Sequence, residues 1–200
     1  MAKLYFRYGA MNSGKTTALI QVAHNYEERG MNVLLLKPSA DTKGADTVVS
    51  RIGASRKVDF LLTPEVDAYE LVKRENEKKP VSCVLCDEAQ FLTPEQAEQL
   101  FMVTVTQKIP VIAYGLRSDF LNRGFPGSTR LMELAHTIEE LKTICTCGKK
   151  AMVNARLVDG EYVFRGEQVA IDGERNVEYR SLCPECYYRL KAEAEAAGKA

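Results

Sequence analysis

The chain predicts an α/β fold, with a parallel sheet covered by helices on both faces. Three observations carry this. Strand-like runs alternate with helical periodicities as far as about residue 143. The runs are apolar throughout, as strands buried on both faces must be. A glycine-rich turn also joins the first run directly to the first helix, the junction of a parallel βα unit.

"KLYFRY" (3–8) reads as the first buried strand. Leu19, Val22, Ala23 and Tyr26 then recur at helical spacing, and Gly30 stands where a C-terminal cap belongs. "NVLLLK" (32–37) is a second strand, followed from Pro38 to about Lys57 by a Ser-, Asp-, Gly- and Lys-rich stretch that reads as a long loop over the active site. "VDAYELVKRENEKK" is a helix with a charged outer face, and "VSCVLC" (81–86) returns to strand. Thr93-Pro94-Glu95-Gln96 supplies an N-cap, a first-turn proline and a capping-box glutamine. "IPVIAYG" (109–115) is the next strand. Beyond it the grammar changes: two short strand-like runs flank Asp159-Gly160, a hairpin signal, with cysteine pairs on either side. The expected organisation is a nucleotide-binding domain over 1–142, a smaller metal-binding β domain over 143–192, and a polar tail over 193–200.

Bulk properties narrow the functions. Lys plus Arg and Asp plus Glu each number 27, so no global field draws the chain to nucleic acid or to a membrane surface. No apolar run reaches membrane-spanning length, and the first residues lack the apolar core of a secretory signal. A cytoplasmic location is expected, in which the six cysteines are reduced thiols or metal ligands.

"GAMNSGKT" matches the phosphate-binding loop pattern, with Gly9, Gly14, Lys15 and Thr16 in its fixed places. Gly9, Ala10, Met11, Asn12, Ser13 and Gly14 would curl so that backbone N–H groups face a phosphate, and the following helix adds the positive end of its dipole. Lys15 would reach the β- and γ-phosphates of ATP, and the Thr16 hydroxyl would bind Mg2+. Such a cradle needs a carboxylate at the end of a neighbouring strand, and "VLCDEAQF" supplies Asp87, with Glu88, Ala89 and Gln90 after it. Glu88 beside a metal-holding acid is placed to accept a proton from an incoming nucleophile. The expected fold is that of a P-loop NTPase, of the RecA-like kind. Cys145-x-Cys147 and Cys183-x-x-Cys186 resemble two halves of a structural Zn2+ site. Four unconnected thiols and, less well, a redox pair are the competing readings of these cysteines.

"GAMNSGKT", "CDEAQF", "GLRSDF" and the two cysteine pairs, in that order, resemble the cytosolic, zinc-containing (type II) thymidine kinases, the bacterial branch most of all. The resemblance covers nearly the whole chain. It implies transfer of the γ-phosphate of ATP to the 5′-hydroxyl of thymidine, with deoxyuridine as a second substrate. In that reading Glu88 is the proton acceptor, while Lys15, Thr16 and Asp87 serve ATP and Mg2+. It further implies a nucleoside pocket made by Met11, Phe91, Leu116, Phe120, Phe125 and Tyr179. Backbone of Val169, Ala170, Ile171, Asp172 and Gly173 would read the base. A homotetramer and feedback inhibition by thymidine triphosphate (dTTP) are implied too. Arg117 stands where some members carry an acid and is given no catalytic role. Zinc would pin the loop carrying Tyr179. Two rival functions stay open here: a P-loop ATPase in which Glu88 polarises water, and a zinc-ribbon nucleic-acid module with a vestigial nucleotide site.

Overall fold

The structure, a computed structural model, describes residues 1–39, 46–168 and 176–198. The chain forms two compact units. The first comprises Met1–Tyr8, Gly14–Leu116 and Phe125–Glu140, and the second Gly9–Ser13, Arg117–Gly124 and Leu141–Ala200.

In the first unit the elements run β1 (Leu4–Tyr8), α1 (Lys15–Glu27), β2 (Val33–Pro38), β3 (Thr47–Val49), β4 (Ser55–Lys57) and β5 (Phe60–Leu62). They continue with α2 (Ala68–Lys78), β6 (Cys83–Cys86), a 3-10 turn (Ala89–Phe91), α3 (Pro94–Met102) and a π-helical turn (Val103–Gln107). β7 (Val111–Gly115), α4 (Pro126–Leu134) and β8 (Thr137–Glu140) complete the unit. Among the described residues the sheet has six strands in the order β5-β2-β6-β7-β1-β8. Every pairing in it is parallel, as runs apolar on both faces require. Leu36, Cys86, Ala113 and Phe6 sit in one row across four strands. That register brings the carboxyl ends of β2, β6, β7 and β1 level, the end at which open α/β sheets bind ligands.

Alternate residues on each strand face opposite sides. Leu4, Phe6, Leu34, Leu36, Val84, Val111 and Ala113 pack in one core with Leu71, Leu100, Val103 and Leu131 from the helical layer. Removing each such leucine or valine from water contributes about 1.5–3 kcal/mol. On α1, Leu19 and Ala23 are the buried positions. The capping box at α3 is present. Thr93 Oγ1 accepts the Gln96 N–H at 3.1 Å, and Gln96 Oε1 accepts the Thr93 N–H at 3.2 Å.

In this unit β3, β4, β5, β8 and α4 escape the sequence reading. β5 and β8 are too short for a period to emerge, and α4 opens with Phe125-Pro126-Gly127, which reads as a turn. The stretch expected to be a long loop contains an antiparallel β3–β4 hairpin with Val48 facing Arg56; residues 40–45 lie outside the described residues.

The second unit contains β9 (Thr143–Ile144), β10 (Lys150–Ala151), β11 (Val153–Val158), β12 (Glu161–Val163), β13 (Val177–Leu182) and α5 (Pro184–Ala196). β9 and β10 pair antiparallel, as do three strands in the order β12-β11-β13. The turn between β11 and β12 has Asp159 at φ 51° and Gly160 at φ 82°. Consecutive positive φ values are what an Asp-Gly hairpin turn supplies. Val153 and Ala155 pack on Cys145, Phe164, Leu182, Cys183 and Tyr187. Asn154 and Arg156, alternating with them, are equally buried.

Candidate active site

In the first unit Gly14 sits at φ 78°, a left-handed conformation that glycine adopts without strain, and α1 begins at the next residue. The first turn of α1 contains no acidic side chain, so the positive end of its dipole suits an anion. Lys15 and Thr16 occupy that turn. The Thr16 hydroxyl lies 3.4 Å from Asp87 Oδ2. Asp87, the first residue past β6, is buried, and its N–H donates to Leu36 O on β2 at 3.0 Å. Burial and the neighbouring Glu88 charge push the Asp87 carboxyl up to about 7, while Lys15 and Lys37 pull the other way. Burial lowers the Lys15 pKa, and Glu88 and Asp87 oppose that shift. The buried Asp87 and the half-buried Glu88 therefore share one pocket with the half-buried Lys15 ammonium. A divalent cation there would relieve the repulsion between the acids.

Glu88 itself has φ 47°, strained backbone for a non-glycine residue, and opens the 3-10 turn. The Gln90 side chain, almost wholly buried, donates from Nε2 to Glu88 Oε2 at 2.6 Å and accepts the Leu116 N–H on Oε1 at 3.0 Å. Ala89 is fully buried in the core beneath the turn. Phe91 and Phe125 pack edge to face at 5.7 Å between centroids. Leu116 is buried, and its carbonyl accepts a hydrogen bond from the Ser128 hydroxyl. Lys15, Thr16, Asp87 and Glu88 are thus drawn into one cluster, with Gln90 linking Glu88 to Leu116.

In the second unit Gly9, Ala10, Met11, Asn12 and Ser13 form the loop ahead of Gly14. Asn12 lies at φ 64°, and the Ser13 N–H donates to Ala10 O at 3.3 Å. A Cβ at Gly9 would fall 2.5 Å from Leu141 O, so only glycine fits. The Met11 N–H donates to Asn154 Oδ1 at 2.8 Å, and Ser181 donates to Met11 O. Phe120 is buried, and its carbonyl accepts from the Tyr187 hydroxyl at 2.7 Å. Arg156 lies with its guanidinium 3.6 Å from the Phe120 ring centroid and 3.1 Å, through Nε, from the Tyr179 hydroxyl. Met11, Phe120 and Tyr179 are therefore each bound to one face of the β11–β13 pair. Val169, Ala170, Ile171, Asp172 and Gly173 lie outside the described residues.

Cys145, Cys147, Cys183 and Cys186 place their sulfurs within 4.8 Å of one another. The Cys147 and Cys183 sulfurs are 3.6 Å apart, against a tetrahedral edge of about 3.8 Å for thiolates at zinc. Burial opposes ionisation of Cys145, but the backbone N–H groups of Cys147 and Cys183 prevail and lower it to about 6. Hydrogen bonds to Cys147 and Cys183 push Cys186 up to about 12. The four could hold a metal ion with no coordination position left open.

Sequence reasoning missed Asn154, Arg156, Ser181 and Ser128. A signal for the first two was present: in "VNARLV" the polar residues alternate with apolar ones inside a run that is buried on both faces.

The parallel sheet, the glycine turn into α1 and the strand-end acid level with it define a nucleotide-binding protein of the P-loop class. The thymidine kinase family model matches residues 2–187. The thymidine kinase of Enterobacteria phage T4 is 47% identical over 185 residues, spanning 92% of this chain and 94% of its own. That of Ruegeria pomeroyi is 44% identical over 200 residues, with 99% and 100% covered. That of Rhodopirellula baltica is 49% identical over 186 residues, with 92% and 86% covered. The chain belongs to the thymidine kinase family.

Proposed function

We propose that this protein transfers the γ-phosphate of ATP to the 5′-hydroxyl of thymidine, and of deoxyuridine, giving the nucleoside monophosphate. The observation that carries this reading is the Lys15, Thr16, Asp87 and Glu88 cluster at the carboxyl end of a parallel sheet, in a chain of this family. Phosphoryl transfer is mostly positioning and charge neutralisation. The glycine loop and the first turn of α1 grip the triphosphate. Lys15 offsets charge on the β- and γ-oxygens. Thr16 and Asp87 have the donor chemistry and spacing to hold Mg2+, which when bound neutralises the leaving oxygens. Glu88 accepts the proton of the 5′-hydroxyl as the new P–O bond forms and the bond to the leaving diphosphate breaks.

Met11, Phe91, Leu116, Phe120, Phe125 and Tyr179, with backbone of 169–173, are the residues that the family resemblance assigns to the nucleoside. Aromatic rings suit a flat pyrimidine and its 5-methyl group. The four cysteines hold Zn2+ as a structural clamp on the strand that carries Tyr179. A cytoplasmic homotetramer, inhibited by dTTP and supplying deoxynucleotide for DNA synthesis, completes the reading. As a domain description we retain 1–142 for the kinase, 143–192 for the metal-binding part and 193–200 for the tail. Among the described residues no helix is long and apolar enough to cross a membrane.

The deciding experiment incubates the protein with γ-labelled ATP, Mg2+ and each nucleoside in turn. Label should move to thymidine and deoxyuridine. ATP turnover that needs no nucleoside would replace this reading with a hydrolase.

A further inference from the structure

β11 and β13 pair so that Asn154 faces Ser181 and Arg156 faces Tyr179. Because strand residues two apart share a face, these four side chains form one polar patch on one side of the pair. The other side, with Val153 and Ala155, belongs to the apolar core around the cysteines. Each half of the patch holds something different. Asn154 and Ser181 take the N–H and carbonyl of Met11, and the Asn154 amide reaches Ser118 O at 3.4 Å. Arg156 takes the aromatic residues.

The Arg156 environment is unusual for a cation. Only 5% of the residue is exposed. Its guanidinium carbon lies over the Phe120 ring, 3.6 Å from the centroid, and 5.6 Å from the Tyr179 centroid. Nε donates to the Tyr179 hydroxyl at 3.1 Å, and one terminal nitrogen donates to Glu167 O at 2.9 Å and Gln168 O at 3.1 Å. Among the described residues its partners are neutral acceptors and π faces, an arrangement that a planar guanidinium satisfies and an ammonium does not.

We propose that Arg156 is the positioning residue of the nucleoside pocket: it fixes the Phe120 ring and the Tyr179 phenol relative to each other and so sets affinity for the pyrimidine. This rests on the proposed function for what the pocket binds. The geometry of Arg156 is independent of it. Arg156 touches no reacting atom, so its effect falls on nucleoside binding and leaves the grip on ATP alone.

The test is Arg156→Lys in the full chain, with steady-state kinetics for thymidine and for ATP, melting temperature and metal content measured together. The expected result is a KM for thymidine raised about tenfold or more, with KM for ATP within about twofold of wild type. Metal content should match wild type, and the melting temperature should fall, because an ammonium leaves buried acceptors unsatisfied. A thymidine KM within about twofold overturns the proposal, and so does an equal loss for both substrates. Should lysine at 156 prevent folding, Tyr179→Phe removes only the hydroxyl that Arg156 holds. That variant should also raise KM for thymidine selectively, and an unchanged KM overturns the link. Wild-type protein that phosphorylates no pyrimidine nucleoside overturns both this inference and the proposed function. Wild-type activity alongside an Arg156→Lys enzyme of unaltered KM overturns the role of Arg156 alone.

Discussion

The Gln90 amide donates to the Glu88 carboxylate at 2.6 Å, and its orientation follows from the Leu116 N–H, which occupies the amide oxygen. With the oxygen so engaged, only NH2 can point at Glu88. Glu88 is thereby held through a buried side chain to the end of β7. Gln90→Leu keeps the volume but deletes this charge-assisted bond and leaves the Leu116 N–H unpaired, a defect of about 1–3 kcal/mol. We expect kcat to fall about tenfold or more, with a lower melting temperature and a KM for ATP near wild type. Steady-state kinetics and thermal melting check this, and a kcat within about twofold of wild type would show that Glu88 needs no such tether.

Glu88→Gln removes the proton acceptor while conserving shape. The amide cannot take the hydroxyl proton, so turnover should fall by about 10²–10⁴. Calorimetric titration with ATP and Mg2+ should find the nucleotide still bound, because Thr16, Asp87 and Lys15 remain. Near wild-type turnover would assign the proton to another base.

Much of this was readable from residues, for physical reasons that also explain the gaps. Strands buried on both faces leave apolar runs, so β6 and β7 stand out, and so do β2 despite Lys37 and the half-buried β1 despite Arg7. A phosphate loop and a capping box are local, and their spacing carries their geometry. Arg156 and Asn154 are different. Their partners Phe120, Tyr179 and Met11 lie far along the chain, and only the β11–β13 register reveals the pairing. The Thr16–Asp87 approach likewise spans 71 positions, and the chemistry of the first motif, rather than any local pattern, called for it. α4 stayed hidden because its opening Pro126-Gly127 is turn composition, and the reason for that glycine is a contact with another segment.

The cysteines should divide by reactivity. Burial pushes the Cys83 thiol up to about 12 and holds Cys86 above its usual value too, with Asp87 and Glu88 adding to the latter. The thiolate is the nucleophile, so near pH 8 both stay protonated and inert, and raising the pH activates them only as it nears those elevated values. In the native protein an alkylating reagent should leave Cys83 and Cys86 unlabelled. After a strong chelator, labelling should appear at Cys147, which is exposed, and at Cys145, whose ionisation is favoured, ahead of Cys186, whose thiol is held up near about 12. Mass spectrometry of digested protein reads this directly. Chelation that changes neither labelling nor melting temperature would remove the metal from the account.

Gly127 sits in the first turn of α4, against the turn that carries Glu88 and Gln90. A Cβ there would lie 2.4 Å from Leu92 O, 2.9 Å from Ala89 O and 3.0 Å from Gln90 O. On helix propensity alone Gly127→Ala should stabilise by up to about 1 kcal/mol. Three backbone carbonyls cannot give way as a flexible side chain could, so overpacking of about 1–3 kcal/mol or more prevails. The net expectation is a melting temperature lower by several degrees, since about 1 kcal/mol corresponds to about 2–4 °C in a chain of this size. The displaced carbonyls belong to the residues that orient Glu88, so kcat should fall more than KM for ATP rises. A variant that melts higher than wild type would show that α4 can move away from the turn, and that the Glu88 geometry does not depend on its close approach.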